Sequence, residues 1–172
     1  MLEEWEHAKA RGATILAEFA GSGATADAID MVFPAQATVA RAIELALIDA
    51  GLNPADVDYI NAHGTGTPAN DPTESKAIRH VFGAQADKLV VSSTKSMHGH
   101  ALGAAGAIEL IAAIGSLRDG VIAPTANFID PDPECDLDYV PNTAREKPVR
   151  AVLSNSFAFG GLNAVVALKR AD

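Results

Sequence analysis

"DVDYINAHGTGTPANDPTESKAIRHVFG", residues 56–83, holds a complete strand–loop–helix unit. "DVDYINA" is a short apolar run and reads as a buried strand. It passes without a spacer into a Gly/Thr loop headed by His63. "DPTESKAIRHVFG" then opens as a helix. Asp71 is placed to cap it, Pro72 suits the first helical position, and Glu74 stands where a capping-box acid would. A strand that ends in such a loop and returns through a helix is the repeating unit of a parallel α/β sheet.

The unit recurs on both sides. Upstream, residues 2–11 read as a helix carrying Leu2, Trp5 and Ala8, ended by Gly12. "ATILAEFAGSG" reads as a strand in which Ile15, Ala17 and Phe19 alternate with Leu16 and Glu18. Residues 22–36 read as a loop. "ATVARAIELALIDAGL" is a helix with a stripe of Val39, Ile43, Ala46, Leu47 and Ala50, closed by Gly51. Downstream, "KLVVSS" is a strand that runs into a second loop, "TKSMHGH". "ALGAAGAIELIAAIGSLRDG" is a third long helix, whose Gly/Ala density predicts a central, buried position. After a Pro-rich loop at 124–133 and "DLDYVP", the strands "RAVLSNSFAF" and "NAVVALKR" pair through Gly160–Gly161. The order predicts a mostly parallel sheet with a final antiparallel hairpin.

Composition narrows the classes of function. The 172 residues carry a formal net charge of −9 and are 48% hydrophobic, with a mean hydropathy of +0.12. A chain of this length buries about 70% of the surface its unfolded form exposes. Its acidity disfavours a nucleic-acid partner. The apolar helix carries Glu109 and is too rich in Ala and Gly to span a bilayer, so no membrane partner is expected. One cysteine fits a reducing compartment, and "MLEEWEHAKARG" has no apolar signal core, so a cytoplasmic location is expected.

In an open α/β sheet, function collects beyond the C-terminal ends of the strands. His63, the 94–100 loop and "SFAFGG" all fall there. His63 is open to two readings: a satisfied turn histidine, or a ligand-facing group in a loop whose glycines admit a polar, uncharged chain. The loop has no phosphate-loop spacing. His98 and His100 form His-x-His, but a zinc site needs three or four ligands and none are paired with them, so no metal is expected. His100 stands at the start of the Ala-rich helix, where the dipole disfavours imidazolium. A neutral imidazole there can donate to a developing oxyanion. His98, His7 and His80 read as surface residues. Lys95 follows a buried strand, and Glu109 is its natural partner. The pair is either a plain ion pair or one that orients the histidines and sets their protonation.

"HGTGTPANDPTE", "STKSMHGHALGAAGAIE" and "SNSFAFGGLN" together resemble, in order and spacing, three successive signatures of the β-ketoacyl-acyl carrier protein synthases. The resemblance extends to "LEEWEHAKARGA" and "CDLDYVPN". It implies a thiolase-like α/β half, a three-layer arrangement around a mixed sheet with strand–helix alternation and a C-terminal hairpin. Residues 1–172 would be the ketosynthase C-terminal domain, with 1–12 the helix joining it to an N-terminal half. The implied reaction is a decarboxylative Claisen condensation of malonyl-carrier protein with an acyl thioester in fatty acid biosynthesis. By this resemblance His63 and His100 hold the malonyl thioester carbonyl and Lys95 with Glu109 orders that site. Thr65 and Thr67 bond the pantetheine arm, Phe159 gates the acyl pocket, and Phe157, Gly160 and Asn163 complete the substrate-binding set. No cofactor is implied beyond the pantetheine arm of the acyl carrier protein.

The family's nucleophilic cysteine belongs to the N-terminal half. Cys135, in "PDPECDLD", matches no nucleophile motif and reads as structural. The chain is therefore expected to be inactive without that half. Its expected partners are the acyl carrier protein and a ketosynthase N-terminal half or an intact ketosynthase, in a homo- or hetero-oligomer. The alternatives are a non-catalytic partner resembling a chain-length factor, or a truncated fragment without function. The sequence departs from many relatives at Ala158 and Leu162, and "DMVFP", residues 30–34, lacks their small hydroxyl residues.

Overall fold

The computed structural model describes residues 1–171. Its main sheet has five strands: β1 (Ala17–Ala26), β2 (Tyr59–Asn61), β3 (Val90–Ser92), β6 (Ala151–Ala158) and β7 (Leu162–Arg170), in the order β1-β7-β6-β2-β3. β2 pairs in parallel with both β3 and β6. β7 pairs antiparallel with both β6 and β1. The hairpin thus does not simply end the sheet. It folds back so that β7 lies between β6 and the first strand. The remaining short strands, β4 (Val121–Ile122) and β5 (Arg145–Glu146), form a separate two-stranded ribbon that the sequence pattern does not announce.

Helices cover both faces, because strand residues alternate in direction. Ile60, Val91, Leu153, Val165 and Ala167 meet α2 (Gln36–Ala50) and α3 (Asp71–Phe82) through Val39, Ile43, Leu47 and Ile78. Tyr59, Val90, Val152 and Leu168 meet α5 (Ala105–Asp119) through Ala113 and Leu117 on the other face. The predicted stripe of α2 is buried throughout, and Gly51 closes the helix at φ 60°. Each such aliphatic side chain contributes about 1.5–3 kcal/mol on burial, so two-sided burial of short strands is what holds the three layers together.

Several expectations need correcting. The first strand spans Ala17–Ala26 rather than 13–23: Ile15 and Leu16 precede it, and it runs three residues past Gly23. Its glycines face α2. A Cβ on Gly21 would lie 2.8 Å from the Asp49 carbonyl carbon, and one on Gly23 would lie 2.6 Å from the Ala46 nitrogen. Only glycine lets this strand and helix approach so closely. The opening helix is shorter than 2–11: α1 spans Trp5–Ala10, because the Glu4 side chain caps it by accepting from Glu6 and His7 N–H. Leu2 lies outside it and is exposed.

The third long helix starts at Ala105, after a single 3-10 turn at Leu102–Ala104. It is not buried all round. Ala105, Glu109, Ala113, Ser116 and Leu117 face the sheet, while Ile108 and Ile111 are exposed and Gly103 and Gly115 border open space. Among the described residues no helix is long and apolar enough to cross a membrane.

Candidate functional site

β2, β3 and β6 run in the same direction, so their C-terminal ends bring three loops to one edge of the sheet. β2 delivers His63, β3 delivers Lys95 and the one-turn helix α4 (Lys95–His98), and β6 delivers Phe157 and Phe159. The rings of His63 and His100 meet edge to face, with centroids 5.5 Å apart and planes 85° apart. Beside them opens a cleft of about 690 Å³ lined by Thr65, Thr67, Lys95, Ser96, His100 and Thr125, among others.

His63 is buried, and its loop is clamped from two sides. The Glu74 carboxylate accepts the N–H of His63 and of Gly64, each at 2.9 Å. Ser93 Oγ donates to the Gly64 carbonyl at 2.7 Å, and Gly64 has φ 39°. A Cβ on Gly64 would come within 2.8 Å of Ser93 Oγ, so this position requires glycine. Glu74 also accepts from Asn70 Nδ2 and Asn155 Nδ2, both at 3.0 Å. It is therefore no capping-box acid. It turns inward from the first turn of α3, and Asn70, not Asp71, occupies the cap position. Burial pushes the Glu74 carboxyl up more than its donors pull it down. All four partners are donors, however, so the cage fits the ionised, acceptor-only form.

Lys95 and Glu109 form an ion pair beneath the histidines, with side chains 5% and 1% exposed. Asn61 Nδ2 donates to the Glu109 carbonyl at 3.2 Å and to Thr94 Oγ1 at 3.1 Å. The pair bears directly on His63. Burial, then the Lys95 charge, then His100 push the His63 imidazole down to about 3. It is neutral at physiological pH.

His100 does not sit at the N-terminus of the long helix, which begins five residues later. Its ring is held by a local contact: the Leu102 N–H donates to His100 Nδ1 at 3.2 Å. A nitrogen that accepts carries no hydrogen, so in the neutral ring the hydrogen is on Nε2.

Thr65 and Thr67 line the cleft and bond each other through their hydroxyls at 2.9 Å. Phe157 does not face the cleft. It is buried against the His63 ring, centroids 5.5 Å apart, and backs that ring. Asn163 lies on β7, next to the hairpin turn. It is buried, and its Nδ2 is spent on Asp27 at 2.6 Å and on Thr25 and the Gly161 carbonyl at 3.3 Å. Asp27 in turn accepts the Ala35 N–H at 2.7 Å and the Thr38 hydroxyl, and Gly160 N–H donates to Met31 O at 2.8 Å. Asn163 and Asp27 thereby tie the 27–35 loop to the hairpin turn. Phe159 and Gly160 lie exposed at that turn, Phe159 at 72%.

Cys135 is half-buried in the cleft wall, and burial pushes its thiol up. An activated nucleophile needs the opposite shift.

Sequence reasoning missed Glu74, Asn155, Asp27 and Ser93. Glu74 had a signal: with Ile78 and Phe82 it falls on the buried stripe of α3, where a lone acid needs donors. The others meet only through long-range contacts.

The fold is that of the ketosynthases. The structure titled "The ishigamide ketosynthase/chain length factor" superposes with a TM-score of 0.94 at 47% identity, covering 97% of this chain and 41% of that one. A chain from the complex of a type II polyketide acyl-carrier protein with its ketosynthase (AntDE:AntF) superposes at 0.96 with 42% identity, covering 99% of this chain and 42% of that one. The profile described as "Beta-ketoacyl synthase, C-terminal domain" matches residues 16–129, and the chain belongs to the β-ketoacyl synthase family. It is 57% identical to nodulation protein E of Rhizobium sp. (strain N33), over 99% of this chain and 42% of the relative. It is 52% identical to 3-oxoacyl-[acyl-carrier-protein] synthase 2 of Coxiella burnetii, with the same coverage. The chain thus spans about two-fifths of the length of the curated relatives it matches.

Proposed function

We propose that this chain supplies the malonyl-thioester half of the active site of a 3-oxoacyl-acyl carrier protein synthase working in fatty acid biosynthesis. The observation that carries the reading is the pair of facing imidazoles, His63 and His100, with the Lys95–Glu109 pair behind them. Each neutral ring donates an N–H, His100 from Nε2, to the thioester carbonyl oxygen of a malonyl group. The bond between the α-carbon and the carboxylate breaks, carbon dioxide leaves, and the electron pair becomes an enolate whose oxygen the two N–H groups hold. The enolate carbon then attacks an acyl thioester on a cysteine, a carbon–carbon bond forms, and the thiolate leaves.

Burial, reinforced by the charge of Lys95, keeps His63 from taking up a proton, so the ring stays a donor that does not protonate the carbanion. Thr65 and Thr67 bond the amides of the pantetheine arm along the cleft, and Phe159 and Gly160 close the path to the acyl pocket. The cysteine comes from the part of the enzyme that corresponds to the remaining three-fifths of the relatives, and this chain alone is inactive. The bare apolar side of α5, with Ile108 and Ile111 exposed, supports a domain that works joined to another. The acyl carrier protein is the partner that presents both substrates.

A second reading is a non-catalytic subunit resembling a chain-length factor, and one structural relative's title names such a protein. One assay separates the two: combine the chain with a matching cysteine-bearing half and follow carbon dioxide release and 3-oxoacyl product. A catalytic half restores both; a non-catalytic subunit yields neither unless a complete ketosynthase is added.

A further inference from the structure

His98 stands beside the proposed site without a part in it. Its side chain is nevertheless tied at both nitrogens. Nδ1 lies 2.8 Å from the Gly99 carbonyl oxygen, and Nε2 lies 3.1 Å from Thr94 Oγ1. A carbonyl only accepts, so Nδ1 carries the hydrogen. In the neutral ring Nε2 then accepts from the Thr94 hydroxyl, and that hydroxyl accepts from Asn61 Nδ2 at 3.1 Å. Thr94 Oγ1 also lies 3.3 Å from Asn61 Oδ1, so the Asn61 amide holds that hydroxyl through both of its ends; with the hydroxyl hydrogen turned to His98, one chain runs from Asn61 to Thr94 to His98 to the Gly99 carbonyl. That chain starts on β2, two residues before His63, and ends on the peptide plane that enters His100. Gly99, with φ 80° and ψ 173°, adopts a positive-φ conformation that favours glycine, and its N–H donates to the Lys95 carbonyl at 2.8 Å, so its nitrogen side is held by α4 while its carbonyl side is held by His98. The Leu102 N–H holds the His100 ring from the other side.

We infer that His98 is a positioning residue: held as the Nδ1–H tautomer, it ties the peptide before His100 to the strand that carries His63 and so sets the distance between the two rings. The inference rests on the proposed role of those rings, but its first test does not. In the protein combined with a matching cysteine-bearing half, labelled with ¹⁵N-histidine and held near pH 8, above the ordinary histidine range, His98 shows the Nδ1–H pattern and His100 the Nε2–H pattern. An Nε2–H pattern at His98 overturns the inference. His98→Ala shifts the His100 ring resonances and lowers kcat for malonyl decarboxylation on the order of tenfold, with KM little changed. His98→Asn, which keeps a donor for the Gly99 carbonyl, restores most of the rate. His100 resonances that stay in place in His98→Ala also overturn it. If they move while His100→Ala leaves the rate intact, the positioning stands and the proposed reaction fails.

Discussion

The Glu74 carboxylate holds the backbone of His63, accepting its N–H at 2.9 Å while the second oxygen takes the next N–H. An anion from α3 thus fixes where the β2 loop presents its imidazole. Glu74→Gln keeps the shape but turns one acceptor into a donor that faces other donors. The expected cost is about 1–3 kcal/mol of stability, with decarboxylation slowed by up to about a hundredfold through misplacement of His63. Denaturant melts and turnover check this; an unchanged rate in a folded Glu74→Gln protein contradicts it.

Lys95 and Glu109 make a second prediction. Removing Lys95 alone leaves a buried, unpaired carboxylate, and Lys95→Ala is expected to cost about 3–5 kcal/mol. Lys95→Met with Glu109→Leu removes both charges and recovers most of that stability. The double variant also lifts the charge that helps depress His63, so the His63 titration moves up toward the ordinary histidine range. Histidine NMR titration reads the shift, and a titration that stays put would show that burial alone sets it.

His63 also links stability to pH. An unfolded histidine titrates near pH ~6.5, whereas the folded one is pushed down to about 3. Between those values the unfolded chain binds a proton that the folded chain refuses. Stability is whole above the unfolded value and falls as pH drops below it, by about 1.4 kcal/mol per unit. His63→Gln flattens this part of the curve. Urea midpoints at several pH values measure the slope, and equal slopes for both proteins contradict the account.

Two glycine substitutions should behave oppositely. Gly23→Ala drives a methyl into the α2 backbone at Ala42 and Ala46 and is expected to cost about 3 kcal/mol. Gly115→Ala meets nothing within 4 Å and is expected to stabilise the isolated chain by about 1 kcal/mol through helix propensity. If the same face of α5 packs on a second half, Gly115→Ala weakens that association. Melting of the isolated chain and affinity for the second half separate the two effects.

Local pattern carried the helices of this fold. The buried stripe of α2, its αL glycine and the hairpin glycines are all set by neighbours in sequence. The first strand was read over 13–23 but spans Ala17–Ala26; its last residues, read as loop, are strand only because they pair with β7, Ala24 with Ala164 and Ala26 with Leu162. The insertion of β7 beside β1 is likewise a long-range pairing that neither segment announces. At the site, the pairing of Lys95 with Glu109 was legible because a buried charge demands a partner. The cage around Glu74 was hidden by a plausible local role as a cap, and the burial of Asn163 by its dependence on Asp27, distant in sequence.

The most direct measurement is the rate of carbon dioxide release from malonyl-carrier protein by the chain combined with a matching cysteine-bearing half, with His63 and His100 replaced together by alanine. The account predicts that release falls to the background rate while the cysteine still accepts an acyl group. Release that persists in the double variant contradicts it.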